Sequence, residues 1–226
     1  MSGIQLVQSG DGSHTLYVES LQEHYHSVNG ALTESQHIFI RSGFNALAGL
    51  TRRVNILEIG FGTGLNALLT IKENVLLNRS VHYVAVEPFP LDDAILEGLN
   101  YPGLVGGCVE RNLFWTIHHI PWDVPHFINE QFILYKLKGR IQDLDLQANR
   151  FSLVYYDAFS PDVQPEMWTA DIFEKIFNAM EPGALLLTYC VKGVVRRTLA
   201  SCGFAVEKIP GPPGKREITR ATKPLL

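Results

Sequence analysis

Cysteine is scarce in this chain, with three among 226 residues, at positions 108, 190 and 202. Cys108, Cys190 and Cys202 lie too far apart for a CxxC metal or redox pair, and an odd, scattered set is no disulfide framework. A reducing, cytoplasmic setting is the expectation. Long apolar runs are also missing. No stretch reaches the roughly 18 apolar residues that a membrane-spanning helix needs. The opening segment MSGIQLVQSGDGS has no basic region followed by an apolar one, which argues against a secretory signal. Charged residues make up only 19% of the chain, while hydrophobic residues make up 46%. That balance excludes a largely disordered protein. The length suits one domain with its own core.

Net charge is −4, which argues against a protein that coats nucleic acid generically. The distribution is uneven. Residues 181–226 carry eight Lys or Arg against three acids, net +5, and the first 180 residues carry 11 against 20, net −9. Such asymmetry marks either a polyanion-binding surface or a solvated basic edge.

No repeat, low-complexity tract or linker divides the chain. Residues 1–50 are expected to form an extension, and 51–226 the main unit of one compact domain. In the extension, Ile4 to Val7 and Thr15 to Val18 flank the Gly10-Asp11-Gly12 turn and predict a β-hairpin. Gln36 to Ala48 has helical apolar spacing. From residue 54, strands and helices alternate. The expected strands are Val54 to Ile59, Val81 to Val86, Phe132 to Leu137, Phe151 to Tyr156 and Ala184 to Tyr189. The expected helices are Leu65 to Leu77, residues 91–99, Pro165 to Met180 and Val194 to Ser201, with a turn at Glu181-Pro182-Gly183. Short strands at Phe204 to Ile209 and Glu217 to Thr219 close an edge hairpin. Most of 101–135 gives no clear pattern. The alternation predicts an α/β, Rossmann-like fold, a mostly parallel sheet with helices on both faces.

Chemistry is concentrated at strand ends. Leu57-Glu58-Ile59-Gly60-Phe61-Gly62-Thr63-Gly64-Leu65-Asn66 contains a GxGxG turn, not the GxGxxG of dinucleotide enzymes. Its glycines permit a tight turn and close approach to a ligand. The Glu58 carboxylate would repel a pyrophosphate and attract a cation, which fits the sulfonium and ammonium of S-adenosylmethionine better than NAD. Glu87 ends the next strand, where an acid suits the two hydroxyls of a ribose. Asp157 ends the strand within Tyr155-Tyr156-Asp157-Ala158-Phe159-Ser160-Pro161, facing the same crevice. It can accept hydrogen bonds from an amine and stabilise a developing ammonium, or it can cap the following turn. His118 and His119, near Trp115 and Trp122, have no third ligand at metal spacing, so no metal is expected. His24 and His26 either line the entrance to the cofactor pocket or are polar loop residues. Cys190, at a strand end, has no evident base to activate it.

LEIGFGTGLNAL, YYDAFSPDVQPEMWT and TYCVKGVVRRTLASCGFAVEKIPGPPGKREITRA resemble the methyltransferase domain of the MnmC family, as do Tyr25-His26-Ser27 and Glu34-Ser35 upstream. The resemblance implies a class I S-adenosylmethionine-dependent methyltransferase. Its implied substrate is tRNA carrying 5-aminomethyl-2-thiouridine at the wobble position, converted to 5-methylaminomethyl-2-thiouridine. It implies cofactor contacts at Gly60, Gly62, Gly64 and Glu87, with Glu58, Phe61 and Asn66 in the same motif. It places the aminomethyl group near Asp157, with Phe159 and Pro161 shaping the pocket. Arg196, Arg197, Lys215 and Arg216 match basic strings suited to RNA phosphates, Gly211-Pro212-Pro213-Gly214 being a loop that presents the last two. Gln142 or Asp143 falls where relatives of this fold contact adenine. The FAD-dependent domain of bifunctional members is not expected in this chain. Oligomeric state stays open, a monomer being slightly favoured.

Two other readings compete. A small-molecule amine methyltransferase, or an aminopropyltransferase of the spermidine synthase kind, would use the same fold with an Asp beside an amine. The latter enzymes usually carry a further acid in the glycine turn, absent from Gly60-Phe61-Gly62-Thr63-Gly64. A non-catalytic RNA- or nucleoside-binding module would have no need of Glu58, Glu87 and Asp157 together.

Overall fold

In the computed structural model, which describes residues 3–47, 49 and 51–225, the chain begins with a small antiparallel sheet. Strand β1 (Ile4–Gln8) pairs with β2 (His14–Val18), as the turn glycines predict, and β2 pairs with a two-residue β3 (Glu23–His24) that the sequence did not announce. Helix α1 (Ala31–Ser35) then runs on into a π-helical segment, Gln36–Phe44. The hairpin turn caps this helix. Ser9 Oγ, Ser13 Oγ and Asp11 Oδ2 accept from the N–H groups of Ala31, Leu32 and Thr33 at 3.2, 3.1 and 2.8 Å. Those are donors that a helix start otherwise leaves unpaired. Burial pushes the Asp11 carboxyl up, but hydrogen bonds from Ser13 and Thr33 outweigh it and hold the group down at about 2. The expected helix end at Ala48 lies outside the described residues.

The main unit follows as β4 (Arg53–Ile59), α2 (Leu65–Leu77), β5 (Ser80–Glu87), α3 (Asp93–Gly98), α4 (Tyr101–Val105), α5 (Cys108–His119), β6 (Pro125–Asn129), β7 (Phe132–Lys138), β8 (Phe151–Tyr156), α6 (Ala170–Ala179), β9 (Met180–Thr188), α7 (Gly193–Ser201), β10 (Ala205–Pro210) and β11 (Glu217–Thr222). The eight strands lie in the order β10-β11-β9-β8-β4-β5-β7-β6. The inner five, β9 to β7, are parallel, and the β10, β11 and β6 edges are antiparallel.

Both faces of β4, β5 and β8 are covered, so these strands are largely buried rather than alternating, whereas β7 alternates. Ile56, Tyr83, Leu153 and Tyr155 pack with α2, α5 and the N-terminal helix. Leu57, Val84, Val154 and Tyr156 pack with α6 and α7 on the other face. The chain reverses direction of travel across the sheet at β4, whose neighbours are β5 and β8. The carboxyl ends of these three strands therefore flank the crevice in which such sheets bind ligands.

Two expectations need correction. The helix expected over Pro165 to Met180 is split. Pro165–Trp168 is a 3-10 turn, and α6 starts only at Ala170, after Thr169 takes extended backbone. The turn expected at Glu181-Pro182-Gly183 is absorbed into β9. Register passes from Phe151↔Met180 to Leu153↔Leu185, so three surplus residues bulge from β9 where the turn was expected.

A carboxylate-walled cavity at the switch point

The turn after β4 owes its shape to its glycines. Gly60 has φ +90°, and a Cβ there would lie 2.7 Å from the Asp157 carbonyl oxygen. Gly60 therefore lets the ends of β4 and β8 touch, and no other residue fits that space. Gly64 caps α2 at φ 70°. It rests against His118, whose Nε2 meets the Thr63 carbonyl at 3.1 Å.

Between these strand ends lies a cavity. Gly60, Phe61, Gly62, Thr63 and Asn66 line it. So do Glu87, Pro88, Phe89, Ile141 and Gln142, and Asp157, Phe159 and Met167. Tyr25 and His26, from the N-terminal extension, complete the lining.

Glu87 is fixed by backbone donors. Gly62 N–H reaches its Oε2 at 2.9 Å, and Phe89 N–H its Oε1 at 2.8 Å. Each oxygen keeps a lone pair free for another donor. Burial pushes this carboxyl up, and the two backbone hydrogen bonds oppose the shift. Gln142 leans on Met167, its Nε2 lying 3.5 Å from Sδ, and its Oε1 is buried with no partner among the described residues. Two vicinal hydroxyls at Glu87 and an amino group at Gln142 would complete what these atoms lack, and a nucleoside carries both.

Asp157 sits on the cavity wall and accepts from Asn66 Nδ2 at 2.9 Å. Burial pushes its carboxyl up to about 7, Asn66 and Lys215 working against the shift and Glu34 with it. The loop that follows is tied down at successive carbonyls. Tyr189 Oη donates to Ala158 O at 3.0 Å, and Trp168 Nε1 donates to Phe159 O at 2.8 Å. Ser160 Oγ donates to Glu23 at 2.7 Å, joining the loop to the N-terminal sheet. Phe159 meets Tyr25 edge-on, ring centres 5.0 Å apart.

Gly60, Phe61, Gly62, Asn66, Glu87, Gln142, Asp157 and Phe159 thus converge on one cavity. Other sequence candidates do not reach it. Glu58 is fully buried and off the cavity wall, because strand alternation points it into the core beside Asn66 and Tyr83. Neither neighbour makes a normal hydrogen bond to it, and burial drives its pKa well up. Gly64 and Pro161 are not among the residues that line the cavity. Lys215 is not presented to solvent as a phosphate contact would be. Its Nζ lies 2.8 Å from Glu34 Oε1 and 4.6 Å above the Tyr189 ring. Arg196 turns back to the Val191 carbonyl at 3.3 Å, whereas Arg197 and Arg216 are exposed. Of the two N-terminal histidines, His26 lines the cavity, and His24 packs on Tyr17. His118 and His119 engage the Thr63 carbonyl and Asp93, and no metal-binding cluster occurs among the described residues. Nor is any described helix long and apolar enough to cross a membrane. Sequence reasoning passed over Tyr25, Thr63 and Met167. Thr63 lay within the quoted turn, but nothing local marks Tyr25 or Met167 as cavity residues.

Comparison with known proteins agrees with this architecture. Residues 127–224 match a family described as S-adenosyl-L-methionine-dependent methyltransferase. The tRNA 5-methylaminomethyl-2-thiouridine biosynthesis bifunctional protein MnmC of Polaromonas naphthalenivorans is 29% identical over 95% of this chain. The alignment takes in 35% of that relative, so the chain spans about a third of its length. The crystal structure of MNMC2 from Aquifex aeolicus superposes with a TM-score of 0.81 at 26% identity, covering 100% of this chain and 72% of that one. Spermidine synthase from Thermotoga maritima superposes with a TM-score of 0.61 at 11% identity, over 99% of this chain and 70% of its own, a likeness of fold alone.

Proposed function

We propose, from the match of residues 127–224 to the S-adenosyl-L-methionine-dependent methyltransferases and the chain's similarity to MnmC, that it methylates the primary amine of 5-aminomethyl-2-thiouridine in the wobble position of tRNA. The observation that carries this reading is that Glu87 and Asp157 line one cavity, a diol acceptor and an amine acceptor together. S-adenosylmethionine supplies an electrophilic methyl group on a sulfonium.

The chain's residues do the rest by binding and orientation. Glu87, held by Gly62 and Phe89, is ready to receive two ribose hydroxyls. The unpartnered Oε1 of Gln142 is ready for the exocyclic amine of adenine. Asp157 accepts an N–H of the substrate amine and so aims its lone pair into the cavity. Only the neutral amine has that lone pair. Asp157, titrating near neutrality, can take its proton or leave it to water, and it stabilises the ammonium formed on transfer. Asn66 and the anchored carbonyls of Ala158 and Phe159 keep the carboxylate from swinging away. Positioning of this kind is worth roughly 7–11 kcal/mol of a transfer barrier.

Tyr25 and Phe159 offer aromatic surface for an unstacked base of the anticodon loop. Exposed Arg197 and Arg216 are placed for phosphates. The enzyme would work in the cytoplasm, where its tRNA substrate is. The test is methyl transfer from labelled S-adenosylmethionine to tRNA from cells lacking this activity, with nucleosides read by mass spectrometry. Methylaminomethyluridine should appear with the wild type and vanish with Asp157→Ala. Product on small polyamines instead of tRNA would transfer the assignment to an amine or aminopropyl acceptor.

A further inference from the structure

Asp157 is surrounded by ionisable groups from several elements. Glu58 of β4, Tyr83 of β5, Tyr101 of α4 and Tyr189, just past β9, all lie within its field. Burial raises the pKa of each of the four, so all are uncharged near neutral pH. Glu87, on the same cavity, is tied by Gly62 and Phe89, and Arg140, the one cation lining that cavity, is exposed to solvent. The charges that act on Asp157 are those of Glu34 on α1 and Lys215 in the β10–β11 loop, the first favouring its acid form and the second its carboxylate.

Lys215 is built into this place. Its Nζ donates to Glu34 Oε1 at 2.8 Å and lies 4.6 Å above the Tyr189 ring. The hydroxyl of that tyrosine donates to Ala158 O at 3.0 Å, one residue past Asp157. Glu34 is buried, and its Oε2 accepts from Ser27 N–H at 2.8 Å. His37 Nε2 meets the Pro210 carbonyl at 2.9 Å, which fastens the end of β10 to the N-terminal helix. Holding a lysine in one geometry costs side-chain freedom, and an exposed ion pair returns little for it. Arg216, the next residue, stays exposed. With Lys215 removed, Asp157 would face Glu34 with no cation to offset it.

We propose that Lys215, steadied by Glu34, is a positioning residue for methyl transfer: its charge holds Asp157 in the carboxylate form that accepts the substrate amine. This rests on the amine reading of Asp157 above and adds what keeps that carboxyl ionised. It also gives the N-terminal extension a part in the chemistry, since α1 supplies the acid that fixes the lysine. Removing the cation favours the protonated acid, removing the Glu34 charge favours the carboxylate, and removing both restores the balance.

The test is a carbon-13 NMR titration of the Asp157 carboxyl in the whole chain, assigned with Asp157→Asn, beside the pH profile of methyl transfer to tRNA. Lys215→Met should move the Asp157 midpoint up by on the order of half a pH unit. Glu34→Gln keeps an acceptor for Ser27 and should move the midpoint down, and the double variant should bring it back toward wild type. Lys215→Arg keeps the charge and should leave it in place. Transfer by Lys215→Met should be about threefold slower than wild type at about pH 6 and should match it at about pH 9, whereas Glu34→Gln should be the faster enzyme at about pH 6. Glu34→Gln carries the test alone if Lys215→Met does not fold. Midpoints that stay put or move the same way, or rates that fall equally at both pH values, would overturn the proposal. A wild type that transfers no methyl group to tRNA, with the midpoints moving as expected, would overturn the amine reading rather than the counter-ion.

Discussion

The burial that fits Asp157 for its proposed role should also make the protein less stable as pH rises. In the folded chain its carboxyl is pushed from 3.8 to about 7, chiefly by burial. The folded state therefore holds a proton that the unfolded state has released between about pH 4 and 7, and stability must fall as pH rises through that interval. The linkage penalty is about 1.7 kcal/mol at about pH 5 and about 4 kcal/mol at about pH 8, so the rise between the two is at most about 2.5 kcal/mol. Asp157 keeps part of its surface on the cavity. Water there screens the charge and lowers the expected rise to about 1–2 kcal/mol. Asp157→Asn removes the titration and keeps an oxygen for Asn66. Urea unfolding of wild type and variant at the two pH values should show the variant's advantage growing by that amount toward high pH, while methyl transfer is lost. An advantage that is constant with pH, or that shrinks toward pH 8, would refute the account of Asp157 as a desolvated carboxylate.

Glu87→Ala should raise the Kd for S-adenosylhomocysteine about 100-fold in titration calorimetry, since two hydrogen bonds to a carboxylate are lost. Gly60→Ala should lower the unfolding free energy by about 2 kcal/mol or more in urea and reduce cofactor binding, because its Cβ has nowhere to go beside the Asp157 carbonyl at φ +90°. The double substitution of Arg197 and Arg216 by Ala should weaken tRNA binding and flatten its log K against log salt slope by about 1–2. Lys215→Met should leave that slope unchanged and lower thermal stability, as its partner is Glu34 rather than a phosphate.

Much of the parallel core was legible because each strand is a short apolar run ending in a chemically marked residue: Glu58-Ile59-Gly60, Glu87 or Asp157. Strand ends are where an open sheet binds, so those letters also gave the main outline of the cavity. What stayed hidden depends on contacts between distant segments. Lys215 looks like its neighbour Arg216 in sequence, yet one folds in against Glu34 and the other faces solvent. That choice is made by a partner 181 positions away in the chain, not by the string PGPPGKRE. Glu58 was misplaced for a local reason. The motif puts it beside the glycine turn, but alternation of side chains along β4 sends it under the sheet's surface while the turn itself opens to the cavity. Residues 101–135 were opaque because α4, α5 and β6 are amphipathic pieces of mixed composition. Phe114 and Ile117 are buried, while Val109 and Phe127 are exposed.

Glu87 and Asp157 also explain why this cavity should hold a cation and how the site should tell cofactor from product. Both have pKa values raised by burial. A cation entering the cavity relieves both of these strains at once, whereas a pyrophosphate would add to them. In the proposed reaction the positive charge leaves sulfur on methyl transfer and appears on the substrate nitrogen, which that reading places beside Asp157. The carboxylates therefore stabilise the charge before and after transfer, and their contribution to rate must come mainly from holding the amine in line. Their contribution to binding is different: once the methylated amine departs, the thioether has lost its cation. Asp157→Asn should therefore weaken S-adenosylmethionine on the order of tenfold more than S-adenosylhomocysteine at about pH 8, where the wild-type carboxylate is ionised. Calorimetric titration of both ligands against both proteins measures that ratio. An unchanged ratio would mean that Asp157 does not sense the sulfonium, and the amine-orienting role would then have to stand without it.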